Sequence, residues 1–262
     1  MMDSTDKTAA RRLRGENTPE LDRRVAALPE AQQFALLNDP DPQQRTAAAR
    51  ALGSRHRSAA VPLLCARLQV ETALYSRIAV SEALGLIGSP AIPALIALLG
   101  KIGNNQHQTL PTRGFYKKSF PLPRDIVTRT LIKIGCPALA PLENVVLTGE
   151  RPAVLEAIDG IGHIAWTEND RRSEPVLLSA FQSSPSDVLI QWKLIRAFQA
   201  FPSAPVRAIL TEVILSSPLS ELRWEAVRSL ALHGRPFSAN LQQAIQADPH
   251  PEVQKVARFF SE

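Results

Sequence analysis

One twelve-residue phrase, Arg-x-x-φ-φ-x-φ-φ-x-x-Ile-Gly with φ small or apolar, returns along this chain often enough to settle its architecture before any single residue is interpreted. It reads Arg45-TAAARALGSRH, Arg77-IAVSEALGLIG, Arg124-DIVTRTLIKIG, Arg151-PAVLEAIDGIG and Arg223-WEAVRSLALHG. A weaker copy starts at Gln191 and a truncated one at Gln254, so successive starts lie 32, 47, 27, 40, 32 and 31 residues apart. A repeat of this length is one supersecondary unit that cannot bury its own apolar face and must stack on its neighbours. Such a chain is built to display a surface.

Within each phrase, small or apolar side chains fall at +3, +4, +6 or +7, and +10, the one-sided stripe of an α-helix. A glycine at +11, as in Gly88, Gly135, Gly162 and Gly234, is placed to end the helix with a left-handed cap. After this first helix comes a short turn, often with proline (Ser89-Pro90, Cys136-Pro137, Pro202), and then a second apolar helix such as AIPALIALLG at 91–100. Proline is tolerated in a helix's first turn, where its missing N–H has no intrahelical partner to lose. The 21 prolines therefore read as punctuation between helices.

The pairing of "R-x-x-A-x-x-A-L-G-x-I-G" with "x-P-A-x-x-x-L" resembles the HEAT-like repeats first grouped with phycobilisome lyase subunits. Arg77 to Leu95 is the nearest match, followed by Arg45 to Leu63 and Arg124 to Leu142. The resemblance implies an all-α, right-handed α-α superhelix of about seven helix pairs, and it covers roughly residues 39–262. Residues 19–38 have helical periodicity without the phrase, as expected of a terminal unit that turns one face to water. Residues 19–262 are thus expected to form a single solenoid, preceded by a disordered polar tail over 1–18. At the other end, Phe259 and Phe260 are expected to cover the last open face.

No run approaches the ~18 uninterrupted apolar residues of a membrane-spanning helix, and the first residues lack the apolar core of a secretory signal. A cytoplasmic monomer is expected. Cys65 and Cys136 make neither a disulfide framework nor a metal set, and Cys136 is expected to start a helix as Ser89 does.

The arginine that opens each phrase shares a helix side with +4, +7 and +11, so Arg45, Arg77, Arg124, Arg151 and Arg223 should recur in line. They could bind anions, but an arginine can also lay its stem on the apolar stripe and direct its fork to acids or carbonyls between repeats. Asp39, Asp41, Glu71 and Asp187, which lie shortly before phrases, are the expected partners. Repeat-to-repeat fastening is the expected role.

Two intervals exceed the period and mark insertions at 101–120 and 166–174, which should map to loops. The net charge of +5 is concentrated around the first: between Ala83 and Arg124 stand five basic residues and no acidic one. Lys101, Arg113, Lys117 and Lys118 share this insertion with Phe115, Tyr116 and Phe120. Two readings stand: the phenylalanines anchor the loop to its own repeats, or the loop's cations and rings, with Lys101, Arg113, Phe115, Tyr116, Lys117 and Lys118 as the contact set, grip a partner.

No catalytic constellation emerges, and neither cofactor nor metal is implied. Deoxyhypusine hydroxylases, which share the repeat, hold two irons with His-Glu pairs, whereas this chain contains no His-Glu dipeptide. His56, His163 and His233 fall beside closing glycines, where they can meet helix-terminal carbonyls. Trp192 and Trp224 both occupy +1 and should stack between adjacent repeats. The expected function is a protein-binding scaffold or adaptor. The alternative is a nucleic-acid-binding protein resembling the HEAT-like alkylpurine DNA glycosylases, using the insertion and the tryptophans.

Overall fold

The computed structural model describes residues 4–234 and 237–259, and among these it contains helices and turns but no strand. The chain divides into two compact units, Met1–Leu98 and Leu99–Glu262, with the boundary where the long insertion begins. The repeat array expected over 19–262 thus falls into two units.

In the first unit, α1 (Ser4–Leu13), α2 (Pro19–Ala26) and α3 (Glu30–Leu36) precede the phrase-bearing pairs. These are α4 (Pro42–Ser54) with α5 (Val61–Val70), and α6 (Leu74–Ile87) with α7 (Ile92–Leu98). In the second unit the pairs are α8 (Ile126–Ile134) with α9 (Leu139–Thr148), α10 (Arg151–Glu168) with α11 (Glu174–Ser183), α12 (Val188–Ala197) with α13 (Ala204–Ser216), and α14 (Ser220–Leu232) with α15 (Ala239–Gln246). A lone α16 (Pro251–Phe259) follows. Six of the seven phrases begin within a first helix, and Arg124 stands just ahead of one.

The turn inside a pair follows from its sequence. Gly88 (φ 78°) and Gly135 (φ 79°) end their helices in the left-handed region, and Ser89–Ala91 and Cys136–Ala138 each add one 3₁₀ turn. Cys136 thus occupies the slot of Ser89. The second helix leaves at 115° to the first across Gly88 and at 118° across Gly135.

First helices pack closely because small residues face each other. A β-carbon on Gly53 of α4 would lie 2.5 Å from the Ala83 Cα of α6, and one on Gly162 of α10 would lie 2.9 Å from the Ala197 Cα of α12. Gly162 is therefore no cap. α10 runs on to Glu168 and ends at Asn169 with φ 54°, so the insertion expected at 166–174 begins as helix and leaves only a short link.

The N-terminal segment also departs from expectation. Residues 4–13 are helical, and the following turn is tied down through main-chain oxygens: Thr46 Oγ1 donates to Gly15 O at 2.8 Å and the Tyr75 N–H to Arg14 O at 2.9 Å. Composition could not show this, because the anchoring groups are carbonyls. Phe260 lies outside the described residues, and Phe259 meets Tyr116 of the insertion edge to face, 5.6 Å between centroids.

The phrase arginines fasten repeats. Arg45 gives Nε and Nη2 to Glu71 at 2.8 and 2.9 Å, and Arg223 does the same to Asp248 at 2.7 and 3.0 Å. Arg151 pairs with Asp187. In each case the acid stands just before the next phrase. Asp39 contributes its carbonyl to Arg45 instead, Asp41 caps α4 through Gln43 N, and Arg77 turns to the carbonyl of Glu71. Arg124 is exposed, and its carbonyl accepts from the Asn105 amide at 3.1 Å.

Candidate functional site

The insertion at 101–120 is a strap laid across the first helices of the second unit. It leaves Gly100, where a side chain would collide with the Pro152 carbonyl of α10, and is fixed at its root by Gln106, which donates to Ile102 O at 2.6 Å and Asp125 Oδ1 at 3.0 Å. Asp125 in turn caps α8 through the Thr128 N–H at 2.8 Å. His107 sits edge-on to Trp192 of α12, 5.0 Å between centroids.

The strap's far end is held by one carboxylate of α16, since Glu252 accepts the Gly114 N–H at 2.8 Å and the Tyr116 hydroxyl. Gly114 is required here: a β-carbon would lie 2.6 Å from Val256 Cγ2. The chain then returns. Phe115 lies beneath the Arg228 guanidinium at 5.1 Å, Ser119 O accepts from Arg228 at 2.9 Å, and Phe120 is buried against His163 at 5.4 Å.

This course resolves the sequence-derived contact set into parts. Phe115 is half-buried and Phe120 fully so, and both anchor the strap to its own unit. Arg113, Lys117 and Lys118 are exposed at the far end, and Tyr116 there keeps 37% of its surface. Lys101 is also exposed but belongs to the root. Its neighbour Gly100 approaches Pro152 of α10, whereas Gly114 and Tyr116, beside the other three cations, are held by Glu252 of α16. None of these four cations forms an ion pair among the described residues.

Beneath the strap lies a ladder of buried charge. Lys193 of α12 sets Nζ 2.9 Å from Glu156 Oε1 and 2.8 Å from Asp159 Oδ2, both on α10. Arg196, one turn along α12, lies 4.0 Å from Asp159 and 4.0 Å from Glu225 of α14. Arg228 pairs with Glu225 at 3.0 Å. Three acids and three bases thus neutralise one another. Charges removed from water persist only when compensated in this way.

The tryptophans complete the layer. Trp192 and Trp224 pack edge to face at 6.4 Å, and the Arg196 guanidinium covers Trp192 at 3.7 Å. Both rings are buried, so the inter-repeat packing expected for them holds.

The ladder sets the protonation of its members. Burial, reinforced by Asp159 and opposed by Lys193, pushes Glu156 up to about 7. Burial works against Asp159 as well, but Lys193 and Arg196 outweigh it and hold that carboxyl below the usual range. Burial, with Arg196 and Lys193 alongside, pushes His107 down to about 3, so its ring is neutral at physiological pH. Among the described residues, no group of three or more His, Cys, Asp or Glu is arranged to hold a metal ion.

The sequence reading missed this ladder, although a signal was present. Lys193 and Arg196 stand at +2 and +5 of one phrase, and Glu225 and Arg228 stand at +2 and +5 of the next. Glu156 stands at +5 of the phrase before. At +2 the sign reverses from Lys193 to Glu225 and at +5 from Glu156 to Arg196, whereas Arg228 repeats the charge of Arg196 and pairs with Glu225 of its own helix. Two histidines meet helix-terminal carbonyls as expected, but of the adjacent repeat and not of their own helix: His56 meets Leu86 O and His233 meets Phe198 O at 2.8 Å, while His163 faces Phe120.

Residues 33–104 match the family described as HEAT repeats. No curated protein matches the chain. Among solved structures, the chain is similar to an engineered protein, Northeast Structural Genomics Consortium target OR329, with 17% identity over 93% of this chain and 95% of that one, TM-score 0.40. It is similar also to a second engineered protein, target OR497, with 19% identity over 99% of this chain and 75% of that one, TM-score 0.42.

Proposed function

We propose that this chain is a protein-binding scaffold whose docking element is the far end of the strap, and that it takes an acidic segment of a partner protein. The observation that carries this reading is the two-sidedness of the strap. Its phenylalanines and main chain are committed to the second unit, while Arg113, Lys117 and Lys118 project outward without acidic partners and Tyr116 stays partly exposed beside them. A docked loop presents these cations at little ordering cost, which favours affinity. Arginine and tyrosine are also the residue types that dominate interface energetics.

The nucleic-acid alternative has less support. A phosphate backbone is tracked by cations along its length, but Lys193, Arg196 and Arg228 are buried and neutralised. The tryptophan faces that a glycosylase-like site would offer lie under the strap.

The test is binding of a labelled peptide rich in Asp and Glu to the wild-type chain and to Arg113→Glu/Lys117→Glu/Lys118→Glu. Saturable binding that is lost in the variant, with an unchanged melting curve, supports the reading. Equal binding by both chains overturns it. Duplex DNA retained at moderate salt, with no peptide binding, would replace it by the nucleic-acid alternative.

A further inference from the structure

We infer that the face of α10, α12 and α14 beneath the strap is itself a docking groove for an extended polypeptide, and that the strap is a resident ligand which a partner segment with two aromatic side chains five residues apart displaces. This surface is distinct from the outward cations.

The way the strap is held shows what the groove recognises. Between Gly114 and Phe120 the chain has no regular secondary structure, and its main chain is read at both ends, by Glu252 at the Gly114 N–H and by Arg228 at Ser119 O. Phe115 and Phe120 fill separate places, one under Arg228 and one against His163. The second place is shaped by a missing side chain: a β-carbon on Gly162 would lie 2.7 Å from Phe120 Cζ. Main-chain bonds combined with pockets for spaced side chains are how grooves bind extended peptides.

The helices of the ladder also carry buried polar atoms with hydrogen-bonding capacity left unused among the described residues. Asp159 Oδ1, Glu225 Oε2, Arg228 Nε, Trp192 Nε1 and Ser229 Oγ are sealed from solvent and have no hydrogen-bond partner among the described residues. Among the described residues this set makes one hydrogen bond with the strap, donated by Arg228 Nη2 to Ser119 O at 2.9 Å. Buried polar groups are ordinarily satisfied. A segment that keeps both aromatic anchors and adds polar side chains toward these atoms binds the same face more tightly.

The test uses a fluorescent peptide of strap residues 112–121 (TRGFYKKSFP) and the full chain carrying Phe115→Ala and Phe120→Ala, which keeps the strap but removes its anchors. The peptide should bind this variant at least 10-fold more tightly than it binds the wild-type chain, and a peptide with both phenylalanines replaced by alanine should not bind. A cooperatively melting variant that fails to bind the peptide, or equal binding by wild type and variant, overturns the groove. If the variant loses its cooperative melt, a chain with residues 112–119 replaced by a Gly-Ser linker of equal length takes its place under the same two outcomes. A doubled mass of the wild-type chain in light scattering, abolished by the two substitutions, would make strap exchange between copies the explanation and overturn the partner.

Discussion

Lys193 and Asp159 face each other at 2.8 Å across α12 and α10, and both side chains are sealed from water. The same ammonium serves Glu156 at 2.9 Å. Lys193→Met would therefore strand two carboxylates, and breaking a buried ion pair from one side costs ~3–5 kcal/mol. Urea unfolding should show that loss. Adding Glu156→Gln to Lys193→Met should recover a large part of it, because Asp159 and Glu225 are then balanced by Arg196 and Arg228.

Glu156 makes stability fall as pH rises. Its carboxyl titrates near 7 in the folded chain, above the ordinary 4.5. Between these values the native state holds a proton that the unfolded state has released, so the slope of unfolding free energy against pH is negative there. Melting temperatures recorded from pH 5 to pH 8 should decline for the wild type and flatten for Glu156→Gln.

Glu71 has the opposite sign. Burial opposes its ionisation, but hydrogen bonds from Arg45, Ser76 and the Ala73 N–H prevail and bring it to about 2 from the ordinary 4.5. The stabilisation is present above about pH 4.5 and disappears as pH falls toward 2. At 1.36 kcal/mol per pH unit the full effect is about 3 kcal/mol. Acid unfolding of Glu71→Gln should start from a lower stability at neutral pH and should lack this component.

Gly53→Ala should destabilise the first unit by ~1–3 kcal/mol through overpacking, although alanine is the better helix former by about 1 kcal/mol. The new methyl would meet Ala83, whose Cα would lie 2.5 Å away. Gly88→Ala meets open space and should lose only the strain of a positive φ, roughly 1 kcal/mol. Thermal melts of the two variants separate collision from strain.

Glu252→Ala removes the acceptor for both Gly114 and Tyr116. Hydrogen exchange at the Gly114 amide should speed up by at least 10-fold, while amides within α12 keep their protection. Equal protection of Gly114 in both chains would show that the phenylalanines alone hold the strap.

Helix pairing was legible in the sequence because it depends on local chemistry. A 3.6-residue apolar stripe, a glycine able to take positive φ at 88 or 135, and proline in the following turn act over a dozen residues. Arginine fastening was legible too, since Glu71 and Asp187 stand six and four residues before the next phrase. Tertiary structure alone decided the rest, because it depends on groups far apart in the chain. Gly162 became a close approach between helices when Phe120 and Ala197 met it, and Glu252 became a latch because Tyr116, 136 residues earlier, reached it. The charges at +2 and +5 would be solvated on an isolated helix. They are interior here because the neighbouring first helices close around them, with the strap over Arg228, and that burial obliges each one to find its opposite.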